Sequence, residues 1–309
     1  IETFHWNHKK ATSVLGDLRK MSGKEFQKLL DVYNKIDVMI AGVPCQGFSI
    51  NNRKRYSKDK RNYLFLEFLR LSSIVKPKIV LIENVSGLKS TDNGSFEKAI
   101  KNKIREIGYR NVENRILNAA DYGVPQNRKR LFFIGWNKDH KFTWPNPTNG
   151  IEGKPYLTVK DAIWDLPFIE PSGKSDSYNK KPITSYQKLM RKNSDTIYNH
   201  KAPRHPNTTI NRIKNTKPGD SMYKKFKQRI RLHWDKPSPT QVSGGIRPQF
   251  QFGHPEMPRG LTVRERCRIQ SFPDDFKIFG GVVQGRVQTG NAVPPLLAKA
   301  LAEQIKKII

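Results

Sequence analysis

The sequence predicts an α/β fold built on a mostly parallel sheet. Three observations carry that expectation. β-Branched runs occur at residues 36–40 and 78–85, a helical apolar period lies between them, and each run ends in turn-forming or polar residues. Strand–helix–strand–helix order implies right-handed crossovers. It also sets the carboxyl ends of successive strands on one edge, where open α/β sheets bind their ligands.

Residues 1–20 are polar, with a possible strand over 13–18. The first β-branched run passes into Gly42-Val43-Pro44-Cys45-Gln46-Gly47-Phe48-Ser49, a turn with a cysteine at its tip. A lone cysteine is ordinarily an inert small hydrophobe. Here Arg53, Lys54, Arg55, Lys58, Lys60 and Arg61 follow it, and a positive field favours the nucleophilic thiolate. Residues 62–75 carry apolar side chains at 64, 65, 68, 69, 71, 74 and 75, a helical period. The run 78–85 is a second buried strand with Glu83 near its end, at the same edge as Cys45. A helix follows from Ser95 as N-cap to about Ile107, where Gly108 stops it.

Residues 112–117 and 131–135 read as two further strands, joined by a segment that holds Gln126, Arg128 and Arg130. Alternation places Arg128 and Arg130 on a common side of Lys129, although either one alone fits a solvated strand end. From Thr143 the character changes, with a proline-rich linker at 144–148 and a short helix at 159–166. Residues 171–231 then contain 16 Lys/Arg against 3 Asp and show little apolar periodicity. That composition suits a phosphate-binding surface better than a core, either as a small second domain or as an insertion that orders on binding. Thr262 caps a helix that ends before Pro273, with Cys267 as a packing residue inside it. The segment 289–295 leads into an apolar C-terminal helix with proline near its first turn.

Lys+Arg 57 against Asp+Glu 27 gives a formal charge of +30, which calls for a polyanionic partner such as nucleic acid. No long apolar run or clean basic amphipathic helix argues for a membrane. The opening residues do not resemble a signal peptide. Cys45 and Cys267, in unrelated contexts, argue against a disulfide framework or a zinc site. A reducing, cytoplasmic setting is therefore expected.

In order along the chain, these segments resemble the cytosine-5 DNA methyltransferase family. Pro44-Cys45-Gln46 is similar to the catalytic-loop motif, Glu83-Asn84-Val85 to the second catalytic motif and Gln126-x-Arg128-x-Arg130 to the third. Residues 261–276 and Gly290-Asn291-Ala292-Val293-Pro294 resemble the two closing motifs. Each short motif is weak alone; five in the family's order are specific. The resemblance covers roughly residues 5–170 and 230–309, and the basic stretch between corresponds to the variable target-recognition region.

The resemblance implies a Rossmann-like methyltransferase sheet with a small, irregular target-recognition domain. The expected division is a catalytic domain over 1–165, target recognition over 166–245 and a closing part of the catalytic domain over 246–309. It implies S-adenosylmethionine as methyl donor and duplex DNA as substrate, with the target cytosine flipped out of the stack. Cys45 would attack C6, and Glu83, its pKa raised by partial burial, would hold or protonate N3. Arg130 would contact O2, with Arg128 supporting the loop or a phosphate. Asp17, Pro44 and Asn291 would line the donor site, Gln46, Ser49 and Thr240 would face DNA, and the basic loop 51–61 would close over the flipped base. The family's glycine-rich cofactor turn is not in this sequence. The implied first strand and helix are missing with it, so a preceding segment or a separate subunit is expected to supply them.

The leading expectation is thus a DNA cytosine-5-methyltransferase, the modification enzyme of a restriction–modification system. An RNA cytosine methyltransferase is a near neighbour. A non-catalytic DNA-binding relative and a cysteine hydrolase are rivals from other classes. The hydrolase ranks low because the seven histidines, His5, His8, His140, His200, His205, His233 and His254, are scattered, with none near Cys45 in sequence.

Overall fold

The computed structural model describes residues 1–31, 33, 35–43, 64–88, 94–137, 139, 141–243 and 250–309. The expectations for Pro44, Cys45, Gln46, Ser49 and the basic loop 51–61 lie outside the described residues. The chain divides into two compact units. One comprises Val14–Asn118, Lys129–Pro145 and Leu301–Ile309, and the other Ile1–Ser13, Ala119–Arg128 and Asn146–Ala300.

The first unit holds a four-stranded sheet in the order β1-β2-β4-β3. Its strands are β1 (Val38–Gly42), β2 (Ile79–Val85), β3 (Asn111–Asn118) and β4 (Lys129–Trp136). The α/β class holds. β1 and β2 are parallel, whereas β2–β4 and β3–β4 are antiparallel, so the sheet among the described residues is mixed. The reason lies in the connection: only residues 119–128 separate β3 from β4, too few for a helical crossover. The expected strand over 13–18 is absent; Leu18–Lys20 form a 3₁₀ turn, and Val14 and Leu15 are exposed.

Helices α3 (Leu64–Val75) and α4 (Ser95–Glu106) supply the apolar cover for this sheet. Phe65, Phe68 and Leu69 of α3 and Phe96, Ile100 and Ile104 of α4 join Val80, Ile82, Leu131 and Phe133 in one buried cluster. α4 starts where expected, but its N-cap is Gly94, in the left-handed region at φ 81°, and Ser95 is already helical. Gly108 follows the helix at φ 106°, a conformation that glycine adopts without strain. The same unit also holds α2 (Gly23–Leu30), opened by a Ser22–Glu25 capping box.

The second unit contains α1 (Glu2–Asn7), α5 (Val159–Ile163), α6 (Ser185–Arg191), α7 (Asn207–Lys214), α8 (Val263–Ile269) and α9 (Val282–Asn291). The last helix, α10 (Pro295–Lys306), begins at the second of two prolines, as expected. Thr158, Thr184 and Thr262 each close a capping box on α5, α6 and α8.

Residues 171–231 are better packed than their composition suggests. Tyr186, Met190 and Ile197 share a buried cluster with Val159, Ile163, Leu261 and Ile269. The few apolar residues are spaced to land on α6 and its flanks, while lysines take the outer face. The segment also leaves and returns at one place: Val159 N–H donates to Lys236 O at 3.0 Å, and Lys160 N–H to Trp234 O at 2.9 Å.

α8 is unusual in being buried on every side, charges included. Arg268 makes a two-oxygen pair with Asp274, at 2.6 Å for each bond, and reaches Asp165 at 3.1 and 3.2 Å. Both carboxylates and the guanidinium are fully buried. Arg259 pairs in the same two-pronged way with Glu265, at 2.8 and 2.9 Å. Cys267 is a packing residue, as expected, its thiol pushed up to about 11 by burial.

Three histidines of this unit lie near the Arg259–Glu265 pair, and burial favours the neutral form of each. His254 Nδ1 accepts two backbone N–H bonds, from Glu256 and Met257 at 3.0 Å each, and burial lowers its pKa to about 3. His205 Nε2 accepts from Gly260 N–H at 3.0 Å, and burial lowers its pKa to about 4. His200 is lowered by burial as well. These groups have folded pKa values below the unfolded value near 6.5, so between about 4 and 6.5 the unfolded chain binds more protons. Stability present above pH 6.5 should therefore fall as pH drops through that window, by up to about 1.4 kcal/mol per pH unit for each histidine. Urea midpoints measured from pH 7.5 to 5 should decline steadily; a flat profile contradicts the buried neutral assignment.

Candidate active site

The sheet brings together two of the residues expected to be catalytic. Glu83 pairs in register with Gly42, the last residue of β1, and Gly42 stands three residues before Cys45 in the sequence. A Cβ at residue 42 would lie 3.7 Å from Glu83 Oε2, so the carboxylate lies over the glycine. On the other side of β2, Arg130 pairs in register with Val85. Glu83 and Arg130 are thus diagonal neighbours on one face of an antiparallel pair. Arg130 Nε meets Glu83 Oε1 at 2.9 Å, and the two side chains retain only 12% and 14% of their exposure. A second Arg130 nitrogen donates to Lys129 O at 2.8 Å.

The pair sets a carboxyl group and a guanidinium side by side at the carboxyl edge of β1.

Arg128 is used differently. β4 begins at Lys129, so strand alternation does not extend back to Arg128 and the two arginines do not share a role on one face. Arg128 is 1% exposed. Its guanidinium donates to Gln241 O at 2.8 Å and to Gly290 O at 2.7 Å. A side chain so enclosed ties backbone segments together and is not available to a phosphate.

Around Arg128 lies a set of buried amides, of which the sequence reading names Gln126 but not its partners Gln241 and Gln270. Gln126 Oε1 accepts from Gln241 N–H at 2.9 Å, while its amide donates to Gln270 Oε1 at 3.0 Å. Gln241 donates to Arg266 O at 3.1 Å, and Arg266 donates to Thr289 Oγ1 at 3.0 Å. Gln126 itself forms a parallel bridge with Ser238. The available signal was the proximity of Gln126 to two arginines in a proline-containing turn. Its partners, more than a hundred residues away, carry no local signature.

The other expected residues are placed as follows. Thr240 Oγ1 donates to Asn127 O at 2.7 Å, so its hydroxyl serves the same loop. Asn291 is the last residue of α9 and is exposed. The preceding Gly290 is closed against backbone, because a Cβ there would lie 2.4 Å from Ser243 N. Asp17 caps the 3₁₀ turn through Arg19 N–H and forms a two-oxygen ion pair with the Arg19 guanidinium. That pairing holds its pKa down to about 2.

Comparison with known proteins decides what this edge belongs to. The model of the C-5 cytosine-specific DNA methylase family matches residues 1–307. The chain belongs to that family. It is a DNA (cytosine-5-)-methyltransferase of the Type II restriction–modification type. It is 36% identical to the Type II methyltransferase M1.HphI of Haemophilus parahaemolyticus, an alignment covering 89% of this chain and 70% of that one. It is 35% identical to M.DdeI of Desulfomicrobium norvegicum, covering 98% of this chain and 80% of the relative. Among solved structures, a putative DNA modification methyltransferase encoded within an E. coli prophage superposes with a TM-score of 0.80 at 25% identity, covering 99% of this chain and 89% of that one. The S. pombe Dnmt2 methyltransferase shares the fold, with a TM-score of 0.63 at 16% identity over 99% of this chain and 87% of that one. Among the described residues, no helix is long and apolar enough to cross a membrane.

Proposed function

We propose that this methyltransferase uses S-adenosylmethionine to methylate C5 of a flipped-out cytosine in a specific duplex DNA sequence, through a covalent bond between Cys45 and C6. The observation that carries the reading is the Glu83–Arg130 pair at the edge of the sheet where β1 leads toward Cys45. N3 and O2 are neighbouring polar groups on one edge of the pyrimidine, both bonded to C2, and a carboxyl group beside a guanidinium matches them in order.

The chemistry then balances. Cys45, as thiolate, forms the bond to C6, and the C5–C6 π pair shifts to C5 while a proton passes to N3 from Glu83. Arg130 stabilises the charge developing at O2. The nucleophilic C5 would take the methyl group, the S–CH3 bonding pair staying on the donor sulfur as a neutral thioether. A base then removes the C5 proton, the electron pair reforms the C5–C6 bond, the thiolate leaves, and N3 returns its proton to Glu83. When bound, the donor supplies an electrophilic methyl on a sulfonium centre. Asp17 fits its adenine end, since an ionised, half-buried carboxylate accepts from an exocyclic amine. Pro44 and Asn291 would complete the contacts available from this sequence.

The catalytic parts are assigned to 1–165 and 246–309 and target recognition to 166–245, within the bacterial cytoplasm. Gln46, Ser49 and Thr240 are the DNA-facing residues of the site. The test is transfer of labelled methyl from S-adenosylmethionine to unmodified duplex DNA, together with trapping on duplexes carrying 5-fluorocytosine, which blocks loss of the C5 substituent. The native chain should transfer label and form an adduct stable to denaturation, and Cys45→Ala should do neither. Transfer that survives in the variant, or that occurs on RNA and not on DNA, overturns the reading.

A further inference from the structure

We infer that residues 219–231 form a rigid finger that binds the DNA phosphate backbone, and that Arg231 is the positioning residue that holds it out. This rests on the proposed duplex substrate and names the part of the recognition segment that grips it.

The finger folds back on itself through short-range bonds. Gly219 N–H donates to Arg231 O at 2.6 Å, Arg231 N–H to Asp220 O at 3.0 Å and Met222 N–H to Arg229 O at 2.8 Å. Ser221 and Ile230 form an antiparallel bridge, and Gly219 takes φ 98° at the entry turn. Met222 is buried with Ile213 and Phe250 beneath the finger. The Arg229 guanidinium is buried against the Phe226 ring at 4.5 Å.

Arg231 fastens this unit to its surroundings. Its guanidinium donates to Ile213, Lys214 and Thr216 carbonyls at 3.2, 3.1 and 2.9 Å, closing the end of α7. It also donates to His254 O at 3.3 Å and Glu256 O at 3.0 Å. One side chain thus joins α7, the finger and the 254–256 turn, using five main-chain acceptors that a lysine could not serve together.

What the finger presents is charge. Lys224, Lys225, Lys227 and Gln228 are exposed at its tip, and Arg212, Lys214 and Lys217 are exposed at its base. Between residues 207 and 231 the single acidic residue is Asp220. Lysines held on a short, braced loop lose less conformational freedom on binding than those on a free tail, and each phosphate neutralised releases counterions.

The experiment measures duplex binding and methyl transfer against salt concentration for the native chain, for K224Q/K225Q/K227Q, for R231K and for the surface control K98Q/K103Q on α4. The triple variant should keep its melting temperature and kcat. Its log-binding against log-salt slope should become shallower by about two to three, about one per phosphate contact. R231K, which keeps the charge but cannot span five acceptors, should raise KM for DNA at least tenfold with kcat changed less than threefold, and should reduce discrimination between cognate and non-cognate sites. An unchanged salt slope in the triple variant, or an equal change in the α4 control, overturns the finger. Equal loss of kcat and binding in R231K, with a lowered melting temperature, overturns the positioning role. If the native chain binds duplex DNA without transferring methyl, the proposed function fails, while the salt slopes still decide the finger.

Discussion

Replacing Glu83 with glutamine should lower methyl transfer at least 100-fold while the protein remains folded at 25 °C. The amide fills the same volume and can donate a hydrogen bond to N3, but it has no proton to transfer, and proton transfer of this kind contributes on the order of 10²- to 10⁴-fold. The same change leaves the Arg130 guanidinium, 12% exposed, without the carboxylate it meets at 2.9 Å. A stability loss of about 1.5–3 kcal/mol is therefore expected beside the catalytic one, the range for hydrogen bonds to charged groups. Single-turnover transfer under saturating DNA, with urea denaturation in parallel, separates the two effects. Arg130→Lys should fall between, keeping the charge while losing the planar fork. If Glu83→Gln transfers methyl within threefold of the native rate, the carboxylate is not the proton donor.

The second large effect concerns folding. Arg268→Ala should cost about 3–5 kcal/mol of unfolding free energy, because it strips two buried carboxylates, Asp165 and Asp274, of their shared cation. Tyr178 donates its hydroxyl to Asp274 and Arg191 reaches Asp165 at 3.4 Å, but neither replaces the four bonds from Arg268. Arg268→Met combined with Asp274→Leu should recover part of the loss, since removing both members of a buried pair spares the uncompensated charge. On the surface of α4, Arg105→Ala should stay within about 0.5 kcal/mol. A cost below about 1 kcal/mol for Arg268→Ala would show that the buried network is not carrying α8.

The contrast between these sites shows which parts of the molecule the sequence discloses. Glu83 was legible because a β-branched run pointed to a strand and the strand's end pointed to an edge, both local signals. The α8 start was legible from Thr262, with Glu265 three positions on. The antiparallel insertion of β4 was not, since strand pairing depends on which partners meet and not on the strands' own residues. Nor was the interior of α8. Val263-Arg264-Glu265-Arg266-Cys267-Arg268-Ile269 reads as a helix with a charged exposed face, yet every residue is buried. Charges enter a core only when paired, and the partners Asp165 and Asp274 stand far from Arg268 or past a proline. Of the two roles expected for Arg128, its bonds to Gln241 O and Gly290 O serve support of the loop, through partners more than a hundred residues away.

The closure of residues 161–233 by Val159–Lys236 and Lys160–Trp234 bonds has an evolutionary consequence. Its two ends are stapled to each other, and just beyond them Ser238, Thr240 and Gln241 are fastened to Pro125, Asn127 and Arg128. Chain length between such staples carries only a logarithmic entropic cost, about 0.6 kcal/mol for each doubling. Exposed stretches of the segment can therefore change length without disturbing the anchorage of the loop that leads into Arg130, whereas Asp165 and the buried Tyr186, Met190 and Ile197 are held in place by α8 and its surroundings. On the proposed assignment of target recognition to 166–245, such a scaffold changes what it reads through those exposed stretches and leaves its chemistry where it was.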